Sequence, residues 1–277
     1  MRDLDTAFNY AAFSSHGRLA ATAADLLPEF HLSTKVGFFP APAPAGPDRP
    51  ASAAHGREHS LAPDRLRAAI AATAEELGRV PDVVFLHNPE RSLRLAGGPE
   101  HGRDLLLAAA AALSDAARTG LCGAWGVSTW DAQPLVEALR TADAGALPRP
   151  GHLMHRVGVL VGPDALTSAD TLARLLGVPA AGRWGMSPFG GDAQAPFWAD
   201  LRVTTLLGNP PPAGVGIAPA AFRLAYELPP VTRVAVSTND PGHLAELVEA
   251  ARLDVDHTRV QRYRTLLAGR QRLVDAS

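Results

Sequence analysis

Lysine is nearly absent from this chain. Of its 26 basic side chains only Lys35, in "HLSTKVGFFP", is a lysine, and the rest are arginine. Cysteine is equally scarce: a single Cys122 excludes an intrachain disulfide and any cysteine metal cluster. In "GLCGAWGV" it reads as a small buried residue in or beside a strand rather than a nucleophile, with no base nearby in sequence. No apolar run reaches the ~18 residues of a membrane span. The most apolar stretch, "LLLAAAAALSDAA", ends in polar residues and reads as a packed helix. A net charge of −2 excludes a strongly basic surface for nucleic acid or anionic membranes. "MRDLDTAFNY" lacks the apolar core of a secretory signal. The ten histidines are scattered, and no metal site is expected. These absences predict a soluble, cytoplasmic protein with no nucleic-acid or membrane partner, and a monomer or homodimer is expected.

What is present is an ordinary globular composition, 47% hydrophobic and 19% charged over 277 residues. Short β-type runs are predicted at 2–5, 31–36, 82–86, 122–127, 152–157, 182–187 and 232–237. Helical patterns lie between them, at 14–27, 63–78, 103–118, 131–142, 163–176, 218–228 and 241–252. Pro63 and Gly78 punctuate one helix, and Asp240 and Pro241 offer an N-cap and first position for another. Strand–helix alternation over the whole length predicts a parallel sheet with crossover helices. Seven or eight such units in one α/β domain, residues 1–277, point to a (β/α)8 TIM-barrel type. A doubly wound sheet is the runner-up, but no glycine-rich turn follows the first strand. Residues 38–60 depart from the alternation: they open with "FFPAPAPAGPDRPASAAHG", 38–56, and read as a Pro/Ala-rich loop without periodicity, placed after a strand and so on the catalytic face. It is either a lid or an insertion without a role.

Three successive predicted strands end in reactive groups. Asp5 closes the first, with Tyr10 five residues on in "LDTAFNY"; Lys35 closes the second; His87, in "VVFLHNPE", closes the third. A phenol titrates near ~10, too high for easy proton transfer at neutral pH. An adjacent ammonium favours the ionised phenol, and a carboxylate holds that ammonium charged and oriented. The set suits a phenolic acid/base acting on an oxygen, with an imidazole donating to the same oxygen. Arginine, a planar fork that never deprotonates, is a poor substitute for a compact ammonium beside a phenol. The competing reading of the lone lysine is a GC-rich coding bias that missed one codon.

These motifs resemble the aldo-keto reductases. "LDTAFNYAAFSSHGRLA" is similar to that family's D-T-A-x-x-Y-G element, "HLSTKVG" to its lysine strand, "DVVFLHNPE" to its histidine strand and "LCGAWGVSTWD" to its G-x-G-V-S-N strand. "WGMSPFGG" resembles its later S-P-L element and "VTRVAVSTNDPGHLAELVEA" its last strand and helix. The resemblance implies a (β/α)8 barrel that transfers hydride between NADP(H) or NAD(H) and a small carbonyl or alcohol. It implies a catalytic tetrad of Asp5, Tyr10, Lys35 and His87, and a cofactor site drawn from Ser128, Thr129, Met154, Trp184, Met186, Ser187, Ser237, Asn239 and Glu246.

The departures from the family pattern fall mainly on the cofactor. Thr129 stands where an asparagine binds the carboxamide, and Met154 where a glutamine is expected. Met186 replaces the aromatic that stacks on the nicotinamide, with Trp184 two residues away. Asn239 and Asp240 stand where a basic residue holds the 2′-phosphate, and Leu247 where an asparagine contacts adenine. Only four residues precede Asp5, whereas the family has a hairpin and a full first barrel strand there. A missing strand leaves two sheet edges for a loop, the C-terminal helix or a second subunit to cover; a mis-called start codon is the competing explanation. An intact tetrad beside an eroded cofactor site leaves two alternatives to reductase: a cofactor-independent isomerase, lyase or cyclase using Tyr10, Lys35 and His87, and a non-catalytic barrel kept as a binding subunit. Trp130, Phe197 and Trp198 are candidates for an apolar substrate pocket.

Overall fold

A computed structural model describes residues 2–41, 57–140, 147–208, 210 and 212–275, with side chains to 269. They form two compact units, 1–130 with 134–153 and 175–178, and 131–133 with 154–174 and 179–277.

The first unit contains β1 (Asp3–Asp5), α1 (Ser15–Ala23), β2 (His31–Val36), β3 (Phe38–Pro40), β4 (Arg57–His59), α2 (Pro63–Leu77), β5 (Val83–His87), α3 (Glu90–Leu93), α4 (Pro99–Arg118) and β6 (Ala124–Thr129). β1, β2, β5 and β6 are parallel neighbours in that order, in a register that pairs Asp5 with Ser33, Lys35 with Phe85 and His87 with Ser128. Near-continuous apolar or small residues in β5, all buried, mark a strand covered on both faces. α2 begins with Pro63 at its first position. It buries Leu66, Ile70, Thr73 and Leu77 at helical spacing and stops at Gly78, whose φ of 65° is left-handed. The alanine-rich run expected to pack does so: α4 buries Leu106, Ala109, Ala110, Leu113 and Ala116 against α2, β5 and β6.

Alternation along β2 sets the site. Ser33 and Lys35 share one face, while Thr34 points the other way and meets His16 Nε2 of α1 at 2.9 Å. Gly37 follows β2 with φ 148°, and a Cβ there would lie 2.8 Å from the His87 carbonyl oxygen. Only glycine allows this close passage.

The stretch expected to be one aperiodic loop instead opens and closes as strands. β3 and β4 pair antiparallel, with Phe38 opposite His59 and Pro40 opposite Arg57. Residues 42–56 lie outside the described residues. Two three-residue strands, one of them ending in proline, carry no readable alternation, which is why the pairing was not legible.

The second unit contains β8 (Arg183–Met186), α7 (Ile217–Leu224), β9 (Arg233–Ala235), α8 (Pro241–Ala250) and α9 (His257–Asp275). α5 (Gln133–Arg140), β7 (His152–Arg156) and α6 (Pro163–Leu176) pass between the units along the chain. β8 and β9 are parallel, with Trp184 opposite Arg233 and Met186 opposite Ala235. The expected cap forms at α8, where Asp240 Oδ1 accepts the Gly242 N–H at 2.7 Å. α9, which the sequence pattern did not announce, buries Val260 beside Trp198, Leu207 and Leu224 and donates the Tyr263 hydroxyl to Val159 O at 2.6 Å. Trp198 is thus core, not pocket wall, while Phe197 is exposed. Among the described residues no helix is long and apolar enough to cross a membrane.

Candidate active site

Asp5, Lys35 and His87 sit at the C-terminal ends of three adjacent parallel strands, β1, β2 and β5. Lys35 is 2% exposed, so its ammonium must find all its partners in the protein. It has three N–H donors and makes three hydrogen bonds: to Asp5 Oδ2 at 2.5 Å, Thr6 O at 2.9 Å and Tyr10 Oη at 3.2 Å. Asp5 Oδ1 accepts the Ser33 hydroxyl at 2.7 Å, which fixes the carboxylate against β2. Burial alone pulls the Lys35 ammonium toward its neutral form, but Asp5 and Tyr10 outweigh it, and the net shift is upward. Lys35 is a permanent cation at physiological pH.

Tyr10 is brought over the strand ends by the turn after β1. Thr6 N–H donates to Ser33 O at 2.9 Å and Phe8 N–H to Lys35 O at 3.0 Å, extending the ladder past β1. Ser15 Oγ then closes the loop on Ala7 O at 2.9 Å. Ala11, Ala12 and Phe13 all have positive φ, 49°, 52° and 67°. Each such residue costs on the order of 1–2 kcal/mol, and strain of this kind gathers where a side chain must be aimed. Tyr10 itself is 42% exposed, with its hydroxyl on the ammonium and its ring face 4.9 Å from Lys35 Nζ.

His87 is 7% exposed, and its ring lies edge-on to Tyr10 at 6.2 Å between centroids. Burial first, then Lys35, the neighbouring His59 imidazole and the Arg57 and Arg91 guanidinium groups, hold its pKa well below the ordinary histidine value. The imidazole is therefore neutral and keeps one N–H to donate. Its Nδ1 is buried with no hydrogen-bond partner. The His87 backbone is pinned from above by His59, whose Nε2–H donates to His87 O at 2.7 Å while Nδ1 accepts from Ser92 Oγ at 2.7 Å. His59 is also held neutral by burial, as this tautomer requires.

These groups open onto a cleft of about 450 Å³. Its lining includes Tyr10, His87, Phe38, Arg57 and Arg91, together with Glu90. Asn88 adopts φ 51°, a left-handed conformation that asparagine tolerates. A larger cavity, about 970 Å³, lies in the second unit around Gly208, Asp254 and the start of α9. Its Arg252 and Arg259 are paired with Glu249 and Asp256, and among the described residues no reactive set faces it. The smaller cleft is the candidate site, because it holds Tyr10 and His87.

The expected cofactor residues divide by environment. Ser128 and Thr129 end β6, both buried. Thr129 donates to Glu90 Oε2 at 2.8 Å, and Glu90 Oε1 accepts the Trp130 N–H at 3.0 Å. Glu90 thus takes up the hydroxyl expected to face a carboxamide. Met154 is fully buried. Trp184 is buried under the Arg233 guanidinium, 4.6 Å from its ring centroid, so that ring face is covered. Met186 and Ser187 are half-buried at the end of β8, Ser187 with φ 56°. Ser237, Asn239 and Glu246 are exposed after β9 and on α8. Cys122 is buried and burial pushes its thiol up to about 11, which makes it inert.

Sequence reasoning did not find His59, Phe38, Arg57, Arg91, Asn88 or Glu90. Asn88 and Glu90 stand beside His87 in "HNPE", and that adjacency was the available signal. The others meet the site only through the β3–β4 pairing and α3.

The aldo/keto reductase family model matches residues 1–147. Among solved structures, the chain is similar to a holo-form aldo-keto reductase from Bacillus halodurans, with a TM-score of 0.65 and 15% identity over 96% of this chain and 82% of that one. It is also similar to a thermostable aldo-keto reductase in complex with the inhibitor epalrestat, with a TM-score of 0.64 and 17% identity over 95% and 81% of the two chains. An aldo-keto reductase from Klebsiella pneumoniae in complex with NADPH gives a TM-score of 0.60 and 16% identity over 96% and 80%. At these identities the likeness shows the fold, the strand–helix alternation of the (β/α)8 type. No curated protein sequence matches. The residues that the family model spans are more than half of the chain and carry Asp5, Tyr10, Lys35 and His87, and the chain belongs to the aldo/keto reductase family.

Proposed function

We propose that the protein is an oxidoreductase that interconverts a small carbonyl compound and its alcohol, using Tyr10 as the proton donor and acceptor. Family membership supports an oxidoreductase in general; the observation that carries the finer reading is the saturated ammonium of Lys35, whose third N–H is spent on the Tyr10 hydroxyl at 3.2 Å. A structural lysine has no reason to be buried and aimed at a phenol that opens to solvent.

A nicotinamide dinucleotide, when bound, supplies or accepts the hydride. The residues fit such a group in part: the carboxamide contacts expected of Thr129 and Met154 are missing, and so is a cation for a 2′-phosphate. Ser237 and Asn239 offer an exposed hydroxyl and amide after β9, and Met186 a half-buried apolar surface at the end of β8. No lysine or arginine lies between 234 and 251, and the Asp240 carboxylate occupies the N-terminus of α8. A 2′-phosphate there meets a like charge, so the second unit suits NAD(H) better than NADP(H).

The chain's own part is proton transfer and orientation. His87, neutral, donates its N–H to the carbonyl oxygen. Tyr10 donates its proton to that oxygen as negative charge grows on it. The phenolate left behind is stabilised by the Lys35 ammonium, held in place by Asp5 and Thr6 O. Tyr10 regains a proton from solvent, which its exposure permits. In the oxidative direction the phenolate takes the proton from the alcohol. Calorimetric titration with NADH and NADPH, followed by carbonyl reduction by wild type and Tyr10→Phe, tests this reading. Saturable dinucleotide binding with turnover lost in the variant supports it, and no binding at millimolar dinucleotide rejects it.

A second reading has specific support. Thr129 is taken up by Glu90 and Met154 is buried and apolar, so neither side chain serves a carboxamide as the family pattern expects. The same Tyr10, Lys35 and His87 would then run proton transfer alone, as an isomerase, lyase or cyclase. That reading predicts turnover by protein stripped of nucleotide.

A further inference from the structure

Arg57 and Arg91 come from different elements, β4 and α3, yet meet on one ring. Their guanidinium carbons lie 5.5 and 5.3 Å from the Phe38 ring centroid. Both are exposed, and neither has a carboxylate partner among the described residues. The Phe38 ring gives each some cation–π attraction, which leaves the positive charge uncancelled. The neighbouring acid does not compensate them. Glu90 is buried and its oxygens accept from Thr129 Oγ1 and Trp130 N. Glu58, next to Arg57, is paired with Arg65.

This basic wall belongs to the cleft of Tyr10 and His87. Phe38 packs edge-on to His87 at 4.9 Å between centroids, so an anion on either guanidinium lies within one small molecule's length of the imidazole. The cleft also holds three of the buried polar atoms that lack a partner, Asn9 Oδ1, Asn88 Oδ1 and His87 Nδ1. Buried orphaned polar groups are rare and call for a partner. The volume of the cleft, about 450 Å³, lies in the range of small-molecule sites, ~300–1,000 Å³.

We infer that Arg57 and Arg91 bind the anionic group, carboxylate or phosphate, of a carbonyl substrate whose oxo group rests at Tyr10 and His87. The inference builds on the reductase reading and names the substrate class of that site. Planar guanidinium forks suit both anions in a bidentate manner. Arg57 and Arg91 would set specificity and position the substrate without touching the reacting atoms.

Three aldehydes of nearly equal size separate the possibilities: 4-carboxybenzaldehyde, 4-formylphenyl phosphate and the neutral 4-formylbenzamide. Calorimetry on the full chain measures the binding of each to wild type, Arg57→Gln, Arg91→Gln and the double variant. The expected result is that at least one anionic aldehyde binds ten-fold or more tightly than the benzamide. Which of the two does so identifies the anion, and the preference falls at least ten-fold in the double variant. Circular dichroism checks that the variants, both at exposed positions, retain the fold. Equal affinity for all three aldehydes, no saturable binding of any, or a preference that survives the double substitution overturns the inference. Reduction by NADH is read separately. An arginine-dependent preference without reduction leaves the anion site standing and rejects the reductase reading. Equal reduction of acid, phosphate and amide does the reverse.

Discussion

Removing the Lys35 ammonium probes the site at the group on which the others depend. In Lys35→Met the stem is kept and the charge is lost, along with hydrogen bonds of 2.5, 2.9 and 3.2 Å to Asp5, Thr6 O and Tyr10. Breaking a buried ion pair by deleting one partner costs ~3–5 kcal/mol. Asp5 is 23% exposed and can recruit water, which places the expected loss of stability near the lower bound, about 3 kcal/mol. The catalytic effect is separate. If Lys35 acts by stabilising the Tyr10 phenolate, the variant loses the 10²–10⁴ typical of general acid–base catalysis, or ~3–5 kcal/mol in the barrier at ~1.4 kcal/mol per tenfold. Tyr10→Phe loses a similar amount. The double variant then falls no further than the worse single variant, because Lys35 works through a hydroxyl that is already gone. Measuring kcat/KM for carbonyl reduction in the four proteins, with urea unfolding for stability, completes the cycle. Multiplicative losses in kcat/KM would refute the reasoning, since they would mean that Lys35 contributes to the reaction independently of Tyr10.

Acid stability depends on His16 and His155, which burial holds to about 4 against an ordinary 6.5. The folded state refuses a proton that the unfolded state takes, so stability is full above pH 6.5, falls between 6.5 and 4 and levels below, by up to ~3 kcal/mol per histidine. Urea titrations at pH 7 and 4.5 should show a smaller acid loss in His16→Gln than in wild type, and equal losses would contradict this. Gly37→Ala drives a Cβ into the His87 carbonyl and should depress kcat at least ten-fold, more than it raises KM. Unchanged kcat would show that the β2–β3 passage does not position His87. Asp240→Asn removes a carboxylate while keeping a cap acceptor for Gly242 and should improve NADPH binding several-fold with little change for NADH. An equal change for both would detach Asp240 from the 2′ position.

The placement of the candidate residues was legible because they rest on strand ends. Asp5, Lys35 and His87 each close a β-type run, and the parallel alternation lines those ends up whatever the detailed packing. A strand placed one residue early, 82–86 against the observed Val83–His87, did not affect the inference. Asp240 was readable as a cap because "DPG" puts acceptor, first-turn proline and donor in sequence. Thr129 was not readable. Its partner Glu90 is 39 residues away, and only the β5–β6 pairing brings the end of β6 over the start of α3. Arg57 and Arg91 share this property, since two surface arginines in a chain full of arginine look alike until Phe38 joins them. α9 escaped notice because, among its described side chains, it buries little beyond Val260 and the flank of Tyr263, too narrow a stripe to read in a helix with His, Thr, Arg, Gln or Asp at 11 of its 19 positions.

The central claim, that Tyr10 and its ammonium serve a hydride transfer, meets its most direct test in a labelled turnover. Wild-type protein is given a carbonyl substrate with NADH deuterated at C4 of the ring, once on each face, and the alcohol is analysed by mass spectrometry. The account predicts one deuterium in the alcohol from one of the two labelled cofactors, and no alcohol from Tyr10→Phe at a comparable rate. Product formed without label, or without dinucleotide, would contradict it and leave proton transfer alone as the work of Tyr10, Lys35 and His87.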